Sequence, residues 1–360
     1  MTSVPIHPRT LPFDRIANAT YSLFHNNIFQ RMATTQEPTT NDETTNPILN
    51  DDIHLQETIG HPLKEKQHST FRIFGQNING ISHKHNFNKW NEILQSTVLH
   101  QIDFLCLTET NLEWRHPLVT HKIPTITKRF FNHSRLLTNT SSIRFDRIYK
   151  PGGTASLINN EWTGRIIRCE VDPTGLGRWT TAIMNGKRHR KIAIIGAYQV
   201  CKTSIHQCGL TTCYSQQWHL LRARGVEFPD PRKAFWDDLT QHIQHLQESN
   251  HLIILIGDFN TSATDAHNNP LRLLQESCHL SDAISHFHDC SHQTSYARGA
   301  TIIDYCFIST ELLPSVHACG YLPLHYFSYS DHRCLYVDFD SRQLFGGSPP
   351  QKSPNQRLDL

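Results

Sequence analysis

Short apolar runs with a polar side chain at or near one end recur along this sequence. Each run is about one strand long, and its apolar residues alternate or are continuous. The runs are FRIFGQNI, DFLCLTET, KIAIIGAY, HLIILIGDFN, TIIDYCFIS and CLYVDF. A carboxylate taken out of water must be paired, hydrogen-bonded or bound to a metal. The pattern therefore predicts a sheet scaffold that gathers distant polar residues at the ends of its strands.

Two segments with helical periodicity lie between some of these strands. Residues 87–101 and 233–248 each carry an apolar stripe of helical spacing. The segments RIIRCEV and RWTTAIM add two strand candidates, and NGK at 185–187 is a hairpin signal. A long polar connection follows residue 110. Strands that are partly consecutive and partly separated by helices predict a layered α/β fold, with sheet packed on sheet and helices outside.

One folded domain is expected over residues 69–341. Residues 1–68 are predicted to be disordered or poorly ordered, because TTQEPTTNDETTNP has almost no apolar residue to bury. Within the domain, residues 199–232 look irregular and are interpreted as a surface insertion. Residues 342–360 are rich in Pro, Ser and Gln and are predicted to be a flexible tail.

The N-terminal segment leaves two questions open. Translation starts either at Met1 or at Met32, since MATTQEP resembles a native beginning. Residues 1–31 hold three Arg and one acid, so an amphipathic organelle-targeting segment is an alternative to plain disorder. No membrane partner is expected, because even the apolar run Leu252–Ile256 is far too short to cross a bilayer.

Ten cysteines occur singly, and none forms a CxxC pair. Several lie in apolar runs, as Cys106 and Cys306 do, which predicts an intracellular protein of the nucleus or cytoplasm with buried thiols. A zinc site is the alternative interpretation, although the spacing matches no common zinc pattern. Its ligands would be Cys201, His206, Cys208 and Cys213.

The polar residues at the strand ends fit phosphodiester hydrolysis. That reaction needs a divalent ion to neutralise phosphate, a group to activate water, and donors that stabilise added negative charge. Oxygen ligands with few His or Cys favour Mg²⁺, with Mn²⁺ as its substitute. A formal net charge of +2 suits an anionic substrate.

Six motifs resemble those of the endonuclease/exonuclease/phosphatase superfamily in order and rough spacing. They are QNINGI at 76–81, LCLTET at 105–110, GAY at 196–198, GDFN at 257–260, IDY at 303–305 and SDHR at 330–333. The resemblance implies a four-layer α/β/β/α sandwich of two mixed sheets flanked by helices. It also implies a Mg²⁺-dependent phosphodiesterase acting on nucleic acid.

The resemblance also implies a metal-binding set. Glu109 resembles the metal-binding glutamate, and Asn77 resembles the asparagine that holds this glutamate and a phosphate. Asp331 matches an acid that can hold a metal, although it could instead cap a loop. Asn79 stands where many members have Asp, which implies phosphate or substrate contact or only an Asn-Gly turn.

The catalytic set is carried over from the same motifs. Asp258 resembles the group that orients and deprotonates the attacking water, and Asn260 its phosphate-contacting neighbour. His332 resembles the imidazole that donates to a phosphate oxygen, with Asp304 as the carboxylate that orients it and raises its pKa. Tyr198 resembles the phenol near the phosphate or leaving group; the alternative is a packed aromatic residue with a satisfied hydroxyl.

Further substrate contacts were considered. Ile302 stands where many nuclease members have a basic or small polar residue. Arg298, four residues earlier, is expected to supply the missing contact to substrate. The basic run at 187–191 could contact the phosphate backbone or be an ordinary solvated turn. Trp114 and Trp179 could stack on bases, or simply pack in the core.

The segment TSYARGATIIDYCFIS and the GAYQ segment look most like endonuclease domains of non-LTR retrotransposons, which nick DNA to prime reverse transcription. DNA is therefore the expected partner. No polymerase domain follows in this chain, which would imply a reverse transcriptase encoded elsewhere. The alternatives are another phosphoesterase (an abasic-site repair nuclease, a deadenylase, or an inositol or lipid phosphatase) and an inactive nucleic-acid-binding relic.

Overall fold

The computed structural model describes residues 57–201, 203, 209–264 and 269–346. The strands in this part are β1 (Ile59–Gly60), β2 (Thr70–Asn77), β3 (Phe104–Thr108), β4 (Ser134–Asn139), β5 (Thr154–Asn159), β6 (Ile166–Val171), β7 (Trp179–Asn185), β8 (Lys191–Tyr198), β9 (His251–Asp258), β10 (Leu280–Asp282), β11 (Asp304–Ser309), β12 (Val316–Tyr321) and β13 (Leu335–Asp340). The helices are α1 (Lys84–Leu99), α2 (Pro117–Thr127), α3 (Cys213–Ala223), α4 (Pro231–Glu248), α5 (Pro270–Ser277), α6 (Ala283–Phe287) and α7 (Ser341–Phe345).

These strands form two mixed sheets. The first has the order β1-β12-β13-β2-β3-β5-β4, and the second has the order β10-β11-β9-β8-β7-β6. Strand β2 is parallel to β3 and β8 is parallel to β9, whereas the other neighbours are antiparallel. The predicted hairpin between β7 and β8 is present.

The two sheets pack face to face, with helices on their outer faces. Successive residues of β2 point to opposite faces, so Ile73 enters the core between the sheets while Phe74 packs beneath α1 and α2. Helix α4 covers the second sheet beside β9. At Gly75 an added Cβ would lie 2.7 Å from Ile256 of the facing sheet, so only glycine permits this approach. The predicted four-layer α/β/β/α sandwich is confirmed.

Three predicted boundaries need correction. Strand β1 pairs with β12, so ordered structure begins before residue 69; a two-residue strand has no periodicity to detect. Helix α3 lies inside the segment 199–232 that was predicted to be irregular, and its capping box is formed by Thr212 and Ser215. Helix α7 occupies the start of the predicted tail, because Asp340 caps its first turn. Residues 347–360 and 1–56 lie outside the described residues.

The carboxyl ends of the central strands meet at one edge of the sandwich. Asn77 pairs with Thr108, which places Glu109 next to β2. Tyr198 pairs with Asp258, and Asp258 pairs in turn with Asp304. Since β2 with β3 and β8 with β9 are parallel, residues separated by long stretches of sequence come together here.

The positions of the basic run and of the two tryptophans decide between the interpretations left open for them. The basic run at 187–191 lies where β8 begins, at the opposite end of that strand from Tyr198, so it does not border the strand-end cluster. Trp114 and Trp179 are buried, which supports packing rather than base stacking. Among the helices that the structure describes, none is long and apolar enough to span a bilayer.

Candidate active site

Asp258, the last residue of β9, is completely buried. Its Oδ2 accepts a hydrogen bond from the Asn77 amide at 2.8 Å, and its Oδ1 accepts one from the Asn260 backbone N–H at 2.9 Å. Burial raises the pKa of Asp258 well above its usual value, and the negative charge of Asp304 adds to this; His332 opposes it. The carboxyl is therefore fixed in place and has increased affinity for a proton.

His332 is buried beside Asp304, and its Nδ1 lies 2.9 Å from Asp304 Oδ2. Burial acts to lower the pKa of His332, but the charge and hydrogen bond of Asp304 outweigh it and raise this pKa to about 9. The Asn77 amide nitrogen lies 3.3 Å from His332 Nε2. The paired imidazole can thus carry a proton at neutral pH and can donate a hydrogen bond.

Tyr198 and Glu109 form a second pair in the same cluster. The Tyr198 hydroxyl donates to Glu109 Oε1 at 2.5 Å. Burial raises the pKa of Tyr198 well above its usual value, and the adjacent Glu109 carboxylate adds to the effect. Glu109 itself is half-buried and has φ +49°, a left-handed conformation that turns the chain directly after β3. The phenol is thus held as a hydrogen-bond donor.

Asp331 lies at the exposed rim of the cluster. Arg298 Nη2 lies 2.6 Å from Asp331 Oδ2, and Asn79 Nδ2 lies 3.3 Å from Asp331 Oδ1. Asn79 also forms the predicted turn, with φ +47° and its backbone N–H bonded to Asn77 Oδ1 at 3.0 Å. Lys89 donates to the Ile78 carbonyl; burial lowers its pKa to about 8, opposed by Asp331.

Comparison with known proteins assigns this arrangement of strand ends to a family. The model of the Endonuclease/Exonuclease/phosphatase family matches residues 76–332, which include every site residue described above. The chain belongs to this family. As a member of the endonuclease/exonuclease/phosphatase family it is a hydrolase that acts on phosphate esters. No curated protein matches the chain.

Solved structures share the family fold. AP endonuclease LMAP from Leishmania major has 14% identity and TM-score 0.55, with 81% of this chain and 98% of that chain covered. The human Nocturnin catalytic domain with bound sulfate has 18% identity and TM-score 0.53, covering 77% and 95%. The 3′ phosphatase NExo from Neisseria, bound to a product DNA hairpin, has 14% identity and TM-score 0.50, covering 75% and 99%. Similarity at these identities shows the fold alone.

Family enzymes generally use a divalent metal ion, and the donors present here fit one. Among the described residues, the second carboxylate oxygen of Glu109 has no hydrogen-bond partner, although the side chain is half-buried. Asp258, Asp304 and His332 also offer ligand atoms within 4.8 Å of one another, but Asp304 is already paired with His332. Carboxylate oxygens are the ligands that Mg²⁺ prefers, so Glu109 is the best-placed ligand.

The predicted site residues come together, with one change of partner. Asn77 was expected to hold Glu109, but among the described contacts it bonds Asp258 and approaches His332 instead. The Glu109 carboxylate is held by the Tyr198 hydroxyl instead. The alternative zinc site suggested by the sequence includes Cys208 and His206, and these two residues lie outside the described part of the chain.

Four residues that contact the site had no role there assigned from the sequence. Ser295 Oγ donates to Asp304 Oδ2 at 2.7 Å, and the Tyr296 ring lies 4.6 Å from the His332 ring. Ser330 Oγ donates to the Asn77 carbonyl, and Cys201 Sγ donates to Asn260 Oδ1 at 2.9 Å. A small hydroxyl residue beside a motif carries no sequence signal of its own, because its partner is chosen by strand pairing.

Proposed function

We propose that this chain is a magnesium-dependent DNA endonuclease that nicks one strand by water attack on a backbone phosphate. The observation that carries the proposal is one continuous set of contacts: Asp304 to His332, His332 to Asn77 and Asn77 to Asp258. It lies at the same strand ends as the Tyr198–Glu109 pair. A base, a proton donor and an oxygen ligand are thus gathered in one place.

In this proposal Asp258 accepts a proton from the attacking water, whose oxygen bonds to phosphorus as one phosphorus–oxygen ester bond breaks. The leaving sugar oxygen takes a proton from solvent and departs as an alcohol. The raised pKa makes the Asp258 carboxylate a stronger base than an ordinary aspartate. His332 donates to a phosphate oxygen, and Asp304 keeps it oriented and protonated. When bound, Mg²⁺ would neutralise phosphate charge, with Glu109 as ligand and Asp331 as a further candidate.

Three features favour DNA. The sequence resembles retrotransposon endonuclease domains, and the structurally similar Neisseria phosphatase was solved with a DNA hairpin. In addition, Arg298 and Tyr329 are exposed at the rim beside Asp331, where a charged backbone and bases would lie. We further propose that the enzyme works in the nucleus or cytoplasm together with a reverse transcriptase.

The test is nicking of supercoiled plasmid with Mg²⁺, with Mn²⁺ and with EDTA. We expect nicking with either ion, none with EDTA, and loss of nicking but not of DNA binding in Asp258→Asn. Asp237→Asn, an exposed carboxylate on α4, is the matched control. Poly(A) shortening and release of free phosphate are assayed in parallel; activity there with intact plasmid would replace the proposal by a deadenylase or a phosphatase.

A further inference from the structure

Away from the strand-end cluster, two imidazoles and one thiol converge at the edge of the first sheet. One ring nitrogen of His61, one of His288 and the sulfur of Cys319 all lie within 4.8 Å of one another. His61 follows β1, His288 follows α6 and Cys319 lies in β12. Among the described residues, the other group of this kind belongs to the active site. The proposed nuclease mechanism gives these three side chains no task.

Two glycines allow this convergence. Gly60 and Gly320 pair across β1 and β12. Gly60 has φ +93°, and an added Cβ there would lie 2.8 Å from the Cys319 carbonyl oxygen and 3.0 Å from His288 Cδ2. A Cβ at Gly320 would lie 2.5 Å from the Ile59 carbonyl oxygen. A larger residue at either position would push the His61 strand and the His288 ring away from the thiol.

A hydrogen bond between the two imidazoles explains only part of this arrangement. His61 Nδ1 lies 2.8 Å from His288 Nε2, and the rings meet edge to face with centroids 4.2 Å apart. The buried Cys319 thiol donates to the Ala283 carbonyl oxygen at 3.4 Å, and the Cys319 backbone N–H donates to His61 Nδ1 at 3.3 Å, but neither contact requires a sulfur beside the two imidazoles. Ligand atoms around tetrahedral zinc stand roughly 3.3–3.6 Å apart, given bonds of about 2.0–2.3 Å. Zinc binding therefore requires the nitrogen pair to open by about half an ångström and the sulfur, now within 4.8 Å of the nitrogens, to close in on them.

We propose that His61, His288 and Cys319 bind one Zn²⁺ ion, with water in the fourth position. One thiolate and two imidazoles are ligands of borderline softness that suit zinc, whereas Mg²⁺ prefers oxygen. On binding, the sulfur–zinc bond replaces the sulfur–hydrogen bond, and one proton leaves to solvent. Both histidines are half-buried, so the ion can enter from solvent.

A zinc ion here would tie the edge strand β1 to helix α6. Strand β1 has only two residues, so its own ladder is weak. Helix α6 follows β10 of the second sheet, while β1 and β12 belong to the first. The ion would thus join the two sheets at one edge. Because it binds the folded state and not the unfolded chain, it would raise the unfolding temperature.

The experiment uses the full chain, stripped with EDTA and then titrated with Co²⁺ as a spectroscopic substitute for zinc. We expect one equivalent to give tetrahedral d–d absorption and a thiolate-to-cobalt charge-transfer band. Zinc should displace the cobalt, and excess Mg²⁺ should not. His288→Gln should weaken cobalt binding and Cys319→Ser should abolish the charge-transfer band. Circular dichroism checks folding; if Cys319→Ser does not fold, His288→Gln carries the test, since its side chain is half-buried.

The matched control is His286→Gln, an exposed histidine of the same helix. It should keep the cobalt spectrum of the natural chain. No charge-transfer band in the natural chain, or an unchanged band in folded Cys319→Ser, would overturn the proposal. Glu109→Gln separates the two sites: it should keep the cobalt band whether or not plasmid nicking is lost, so failure of the nuclease proposal leaves this test intact.

Discussion

His100 should make the folded protein sensitive to acid. It follows α1, and its ring stacks between Phe74 and Tyr326, with centroids 6.0 Å and 5.2 Å away. Burial, assisted by the positive charge of Arg72, lowers its pKa from 6.5 to about 4. Protonation is therefore costlier in the folded state than in the unfolded chain.

The direction in which stability changes with pH follows from this depressed pKa. Above the unfolded pKa of 6.5 His100 is neutral in both states and its contribution to stability is complete. As the pH falls from there toward the folded pKa of about 4, the unfolded chain takes up a proton first and stability is lost. The difference between a pKa of 6.5 and one of about 4 corresponds to about 3 kcal/mol of stability, most of it lost by about pH 4.5.

The assay is urea unfolding followed by tryptophan fluorescence, at about pH 7 and about pH 4.5. Other groups also titrate in this range, so the informative quantity is the difference between the natural chain and His100→Phe, which keeps an aromatic ring between its two neighbours. We expect the natural chain to lose about 2–3 kcal/mol more than His100→Phe over this interval. His121→Phe, an exposed histidine on α2, is the control. Equal losses in the natural chain and His100→Phe would refute the reasoning.

Three further predictions concern the active site. Tyr198→Phe removes the hydrogen bond to Glu109 and should lower the nicking rate roughly 10- to 100-fold, measured at saturating DNA. Glu109→Gln should raise the Mg²⁺ concentration needed for half-maximal nicking about tenfold or more, because a carboxylate ligand is lost; an unchanged magnesium titration would contradict the assigned ligand. Tyr329 is 75% exposed and stacks on His325 at 4.5 Å. Tyr329→Ala should weaken DNA binding about 5- to 100-fold in fluorescence anisotropy while leaving the rate at saturation nearly unchanged.

Local periodicity predicted the central strands and the two long helices that carry the core, but it did not reveal β1, β4, β10 or β12. Helix α2 was missed because it contains Pro124 and several Thr residues, which are poor helix formers. It is stabilised instead by packing, with Val119 and Ile123 buried in the outer core. Helix α3 was missed for a different reason: its buried face includes the polar Ser215, Gln216 and Gln217, so it has no apolar stripe.

The sequence by itself determined which residues stand at strand ends, because an apolar run followed by a carboxylate can be recognised within one short segment. Only the tertiary structure decided their partners. Asn77 holds Asp258, 181 positions away, and His61 meets His288, 227 positions away. Such contacts depend on which strands pair, in which direction and in which register. Those choices come from packing two sheets together, which no local pattern encodes.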